Sequence, residues 1–192
     1  VDTSTSDLTK YELFPGVFAN KGQTEALDLI EKFLNSNEQE FTLIGMGGVG
    51  KTSVIKKVLD MQKGKSIIGI TVSKKNKKVL GRSIGKEKAT TFAAATANKL
   101  DESTGKFQPD LYARQQGKVP VKYPQIIIVD EASMISTKMY KELLELKDSG
   151  AKIIFMGDHH QLPPIGESED SPVFNIKNQY TLLEKMRQAK TS

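Results

Sequence analysis

FTLIGMGGVGKTSVIKKVL, Phe41 to Leu59, decides the fold. A short apolar run, Phe41–Ile44, ends in a glycine and reads as a buried strand. The pattern G-x-x-x-x-G-K-[ST] then occupies Gly45–Thr52. Val54, Ile55, Val58 and Leu59 follow at helical spacing and mark the inner face of a helix. A glycine-rich turn between strand and helix lets backbone N–H groups point inward around phosphate oxygens, with the helix N-terminus adding a favourable dipole. On this reading Gly45, Met46, Gly47, Gly48, Val49, Gly50, Lys51, Thr52 and Ser53 cradle the phosphates of a nucleotide. Lys51 reaches the β- and γ-phosphates, and the Thr52 hydroxyl ligates Mg²⁺.

Working outward, the same alternation repeats. Ala26, Leu27, Ile30, Phe33 and Leu34 predict a helix over 22–34. Strands are expected at 66–72, 126–129, 153–155 and 179–183, with helices over 74–80, 91–100 and 137–146. The strands are apolar throughout, not alternating, as in a parallel sheet covered by helices on both faces. The expected fold is therefore α/β, with residues 1–18 as an extension and 19–192 as one domain. Residues 101–123, DESTGKFQPDLYARQQGKVPVKY, break the rhythm. They are polar and punctuated by Gly105, Pro109, Gly117 and Pro120, and read as an inserted hairpin with Phe107 near its tip.

The 192 residues suit one well-buried domain. No apolar run reaches the roughly 18 residues of a membrane span. Cysteine is absent, which removes disulfides and thiolate–metal sites and is compatible with a reducing compartment. The formal net charge is +5. Its distribution is more informative: Lys74, Lys75, Lys77, Lys78, Arg82, Lys86 and Lys88 face a single acid, Glu87, across fifteen positions. Such a run is either a solvated face or the footprint of a polyanion.

Two further stretches carry chemistry. IIIVDEASM places Asp130 and Glu131 at the end of a buried strand, where open α/β sheets bind ligands. Asp130 suits Mg²⁺, a hard cation that takes oxygen ligands. Glu131 suits the polarisation of an attacking water, which favours a hydrolase over a small-molecule kinase. GDHHQLPP, Gly157–Pro164, follows another buried strand. Its adjacent histidines do not make a zinc site, because zinc wants about four ligands and the chain has two histidines and no cysteine.

In the order GxxxxGKT, VDEASM, GDxxQLPP the chain resembles the first RecA-like domain of superfamily-one helicases of the 5′-to-3′ class, over residues 23–187. GDHHQLPP is the most specific element. The resemblance implies that Gln23 contacts adenine, Gln161 senses the γ-phosphate, and Arg187 reaches it as an arginine finger. It implies ATP and Mg²⁺ as cofactors and single-stranded DNA, or RNA, as partner. It places Ser73, Lys74 and Lys75, within Thr71–Asn76, on the nucleic-acid backbone, with Thr90 and Phe92 in a second contacting motif and Pro163 near the same track. The hairpin at 101–123, with Phe107, falls where this class carries a strand-separating element. A second RecA-like domain is implied that these 192 residues do not contain. These residues alone are therefore expected to hydrolyse ATP slowly and not to unwind a duplex. The setting implied is the cytoplasm of a bacterium or a phage-infected cell.

Departures from the pattern bear on the nucleic-acid contacts. ITVSKKN lacks the proline usual in the first contacting motif. Phe92 stands where the second has histidine, which leaves two readings: stacking on a base, worth roughly 1–3 kcal/mol, or burial in the core. Stacking is the expectation carried forward. Two rivals to a DNA helicase stand: an RNA helicase of the same superfamily, and a module whose nucleic-acid or protein affinity is merely switched by nucleotide. Glu131 and Arg187 argue against the second, since a pure switch needs neither a water activator nor a charge-neutralising finger.

Overall fold

The computed structural model describes residues 9–46, 50–116, 125–147, 150–158 and 170–183. Its centre is a six-stranded, all-parallel sheet. The strands are β3 (Glu40–Ile44), β4 (Ile67–Thr71), β5 (Ala89–Thr91), β8 (Ile126–Val129), β9 (Lys152–Gly157) and β10 (Gln179–Thr181), in the order β10-β3-β9-β8-β4-β5. Among the described residues, two-stranded hairpins complete the strands: β1 (Glu12–Phe14) with β2 (Val17–Phe18), and β6 (Asn98–Asp101) with β7 (Lys106–Pro109). The helices are α1 (Lys21–Leu34), α2 (Lys51–Met61), α3 (Lys74–Ile84), α4 (Phe92–Thr96), α5 (Leu111–Gln115) and α6 (Thr137–Lys147).

Two cores sandwich the sheet, and the side-chain period of two assigns residues to each. Ile126 and Ile128 point to one face with Leu27, Ile30, Val54, Ile55, Val58 and Leu80 of α1, α2 and α3. Ile127 and Val129 point to the other, with Met139 and Leu143 of α6, Phe155 and Phe92. All four residues of β8 are buried, which is why the run IIIV shows no alternation.

Three expectations need correction. Within the extension expected over 1–18, the described residues pack on the domain: β1 and β2 form a hairpin, Tyr11 is buried in the first core, and its hydroxyl donates to Asp28 of α1 at 2.7 Å. The helix expected over 91–100 stops at Thr96. Ala97 takes φ 52°, in the left-handed region, and Asn98 opens β6 opposite Pro109. The inserted hairpin accordingly starts at Asn98, before the boundary drawn at 101; its turn is Glu102–Gly105, followed by helix α5, while 117–124 lie outside the described residues. Phe107, expected near the tip, stands one ladder pair below the turn. It pairs with Leu100 and packs edge-on against Phe92, ring centroids 5.1 Å apart. No helix among the described residues is long and apolar enough to cross a membrane.

Candidate nucleotide site and its basic flank

The parallel strands all deliver their C-terminal ends to one edge. There β3 meets Lys51, β8 meets Asp130 and Glu131, β4 meets Ser73, and β9 meets Asp158. Lys51, Ser73, Lys75, Asn76, Val79, Asp130, Glu131, Gly157 and Asp158 line a cavity of about 290 Å³ at this edge. A Cβ on Gly157 would come within 2.8 Å of the Ala132 Cβ and 3.1 Å of its backbone nitrogen. Only glycine lets the end of β9 lie so close to the turn that carries Glu131.

Gly50, the residue before α2, has φ 93° and offers no side chain to cap the first N–H groups of α2. The Lys51 ammonium donates to the Gly45 carbonyl, folding back across the loop. Burial pushes Lys51 below the usual lysine range, opposed by the carboxylates of Asp130 and Asp158. Burial likewise holds Asp130 above the usual carboxylate range, against the pull of the Glu131 N–H, Lys51 and Asn76. Its Oδ1 accepts the Glu131 N–H at 2.8 Å and its Oδ2 the Asn76 side-chain amide at 3.1 Å. The donor set fits Mg²⁺, which uses one or two carboxylates and completes its shell with water and phosphate oxygens. Asp130 would supply the carboxylate, and Thr52, exposed at the first turn of α2, a hydroxyl. Among the described residues there is no cluster of three or more His, Cys, Asp or Glu side chains that would hold a cation alone.

Gln23 is buried and sits on α1 against the phosphate loop. Its Oε1 accepts the Asn20 N–H at 3.0 Å and its own N–H donates to Asn20 Oδ1 at 2.8 Å, a reciprocal cap, while its amide approaches the Gly50 carbonyl at 3.5 Å. Gly45 and Met46 are placed at the end of β3, Met46 exposed. Gly47, Gly48, Val49, Gln161, Pro163 and Arg187 lie outside the described residues, as do His159 and His160.

The basic run splits. Ser73 caps α3, its hydroxyl accepting the Asn76 N–H at 3.2 Å. Lys74, Lys75, Lys77 and Lys78 are exposed along that helix. Thr90 is half-buried on edge strand β5, away from the cavity. Phe92 corrects the sequence reading: it is fully buried in the second core and wedged against Phe107, so its ring has no free face for a base. Two contributors escaped notice, Asn76 as the Asp130 partner and Asp158 as a charge near Lys51. The S-x-x-N spacing of a capped helix start was the available signal for the first.

A parallel sheet with a phosphate loop on its central edge and an Asp-Glu pair two strands away defines a RecA-like P-loop domain. The particular family follows from comparison: the family model described as "AAA domain" matches residues 19–192, and the chain belongs to that family. The ATP-dependent DNA helicase dda of phage T4 is 26% identical over 167 residues, covering 83% of this chain and 37% of its own length. The RecBCD subunit RecD of Buchnera aphidicola is 29% identical over 142 residues, 66% of this chain and 23% of that protein. The resemblance drawn from the motifs is thereby borne out. Among solved structures, a Bacteroides Pif1 bound to ssDNA shares the fold with TM-score 0.52 and 15% identity, over 90% of this chain and 44% of that one. A DNA replication initiation factor does so with TM-score 0.56 and 14% identity, over 95% and 52%. The chain thus spans only 37% of the phage relative's length.

Proposed function

We propose that residues 19–192 are the first motor domain of an ATP-dependent, 5′-to-3′ DNA helicase that couples hydrolysis to movement on single-stranded DNA. The observation that supports this best is the convergence of Lys51, Asp130 and Glu131 on one cavity that is also lined by Ser73, Lys75 and Asn76 at the start of the basic helix α3. Hydrolysis and polyanion contact then share a boundary. The comparisons favour DNA over RNA through the relatives' own activities, and the 5′-to-3′ polarity rests on the motif resemblance.

In this reading Lys51 holds the β- and γ-phosphates, with the open N–H groups of α2 around them. Thr52 and Asp130 are the residues that would hold Mg²⁺, and the ion would supply positive charge against the phosphate oxygens. Glu131 takes the proton of the attacking water. Gln23 borders the adenine, and Gln161 and Arg187 sense and stabilise the γ-phosphate. Arg187 acts in a cleft completed by a second RecA-like domain of the same protein. Lys74, Lys75 and Thr90 hold the nucleic-acid backbone, and the hairpin from Asn98 to Pro109 stands where strands separate.

The test is ATP hydrolysis by the full-length protein with and without single-stranded DNA or RNA, alongside Lys51→Ala and Glu131→Gln. DNA stimulation lost in both variants is expected. Activity indifferent to either nucleic acid would sink the helicase reading, and stimulation by RNA alone would favour the RNA helicase. Charge removal at Lys74 and Lys75 should lower the salt slope of binding by about one unit per phosphate contact.

A further inference from the structure

The inserted segment, hairpin β6–β7 with α5, is fastened to itself across the residue that ends α4. Ala97 sits at φ 52°, ψ 50°. Its carbonyl accepts the Asp110 N–H at 2.9 Å and the Arg114 Nε–H at 3.0 Å. The other arm of the guanidinium reaches the Thr96 carbonyl at 3.4 Å, and the Asp110 side chain caps α5. Hairpin and α5 are therefore one piece, joined to the domain at a left-handed residue. Such a setting persists only where the surroundings hold it.

One side chain ties that piece to the layer beneath the sheet. Asn98, the first residue of β6, is 4% exposed. Its amide nitrogen donates to the Glu142 carboxylate of α6 at 2.7 Å and to the Thr96 hydroxyl at 2.7 Å. Among the described residues, the bond to Glu142 is the only hydrogen bond from residues 98–116 to any residue outside 96–116. Apolar burial, such as that of Phe107 against Phe92, attracts without fixing an angle. Asn98 Oδ1 is buried and has no partner among the described residues. A buried polar atom in that state calls for a reason, since an apolar side chain would fill the same space without one. Direction is such a reason: a hydrogen bond to a charged acceptor is short and depends on angle. Glu142, in turn, belongs to the helix that follows the Asp130–Glu131 turn, with only the short turn Ala132–Met134 between them.

We propose that Asn98 and Glu142 form a clasp that aims the hairpin, so that movement of the motor domain bears on paired strands. The inference rests on the motor-domain reading above and names positioning residues for strand separation. With the clasp closed, the inserted piece keeps one angle to α6. With it open, the piece pivots at Ala97. Neither Asn98 nor Glu142 lines the nucleotide cavity, so opening the clasp leaves the residues around the phosphates in place.

The test uses the full-length protein. Unwinding of a duplex with a 5′ single-stranded tail is measured beside ATP hydrolysis on single-stranded DNA. Glu142→Ala should slow unwinding on the order of 10-fold, the factor that a hydrogen bond to a charged group carries, with kcat and KM for ATP unchanged. Asn98→Ala should do the same, and the double variant should be no slower than either single one. Glu142→Gln, which keeps an acceptor oxygen, should lose less. Hydrolysis and unwinding that fall together, or unwinding that does not change, overturns the clasp. If Glu142→Ala does not fold by circular dichroism, Glu142→Gln decides: slower unwinding at constant hydrolysis supports the clasp, and unchanged unwinding overturns it. A second readout needs no helicase activity. Residues 1–192 hold no cysteine. Nitroxides at Glu102→Cys in the hairpin turn and Lys138→Cys on α6, both exposed positions, therefore report the angle once any cysteine elsewhere is replaced by serine. Their distance distribution should broaden in Glu142→Ala, and an unchanged distribution overturns the clasp. If it broadens while the unaltered protein unwinds no duplex, the helicase reading fails and the clasp stands.

Discussion

Helices α2 and α3 both start at the C-terminal end of a parallel strand, at the same edge of the sheet, yet their N-termini are finished in opposite ways. At α2 the capping residue is Gly50, with no side-chain acceptor for the first N–H groups. At α3 it is Ser73, whose hydroxyl caps the helix while Glu131 takes the Val72 and Ser73 N–H groups. Every helix N-terminus attracts anions through its unpaired donors and dipole. The first leaves its donors to an anion that arrives from solution; at the second the protein's own carboxylate takes the N–H groups of the cap and of the residue before it. The difference teaches how one edge of the sheet divides its donors. A bare terminus leaves its donors to a ligand, and a closed one spends them on the carboxylate proposed to act in hydrolysis.

The largest effect that tests this contrast is at α2. Lys51→Ala should lower ATP hydrolysis by on the order of 10²–10³-fold, the scale for removing one preorganised group at a developing charge. A loss under tenfold would mean that phosphate is not held there. Next, pyrophosphate should raise the melting temperature of the unaltered chain, a stabilisation of roughly 2.7 kcal/mol at a hundredfold excess over Kd. The rise should vanish in Lys51→Ala and survive neutralisation of Lys74 and Lys75. Loss in the second pair instead would show that α3 is the anion site. Third, Glu131→Ala leaves the Val72 and Ser73 donors unpaired, at about 1–3 kcal/mol when buried, and toward the lower end here because both residues are half-buried. Thermal melting should drop by roughly 2–4 °C per kcal/mol for a chain of this size, and Glu131→Gln, which keeps one acceptor oxygen, should drop less. Equal drops would deny Glu131 its role at the α3 terminus.

How much of this could be read from residues depends on sequence distance. The phosphate loop was legible because its strand, glycines, lysine and helix are consecutive, so local periodicity and spacing fix them together. The sheet was legible because runs such as Ile126–Val129 are apolar on both sides, which only a doubly covered strand requires. The Ser73–Glu131 bonds join residues 58 apart in the chain. They depend on β4 lying beside β8, an order that alternation of strands and helices does not determine. Phe92 was misread because a core and a stacking platform both want an aromatic ring, and only the neighbouring Phe107 decides between them. The Ala-rich stretch after it has strong helix propensity, yet the left-handed Ala97 ends that helix and turns the chain into the hairpin.

The smallest expected effect concerns Asp130, which belongs to both helices: it answers Lys51 at the start of α2 and is held by Asn76 in the first turn of α3. Burial raises its folded-state pKa above the unfolded value. The folded state then binds more protons than the unfolded one between those two values, so stability falls with rising pH across that window. The contribution is fully present below the unfolded carboxylate value and is lost as pH rises through the folded one. Mg²⁺ has the opposite requirement, since it takes the ionised form. Its affinity for the nucleotide-bound chain should therefore weaken as pH drops through that same raised value, at a higher pH than an exposed aspartate would give. Melting curves in a chelator and Mg²⁺ titrations across the acid range measure both slopes. Asp130→Asn should flatten the first and abolish the second. If the two slopes persist in Asp130→Asn, another group titrates, and the carboxylate shared by the two helix starts is not the one that links them.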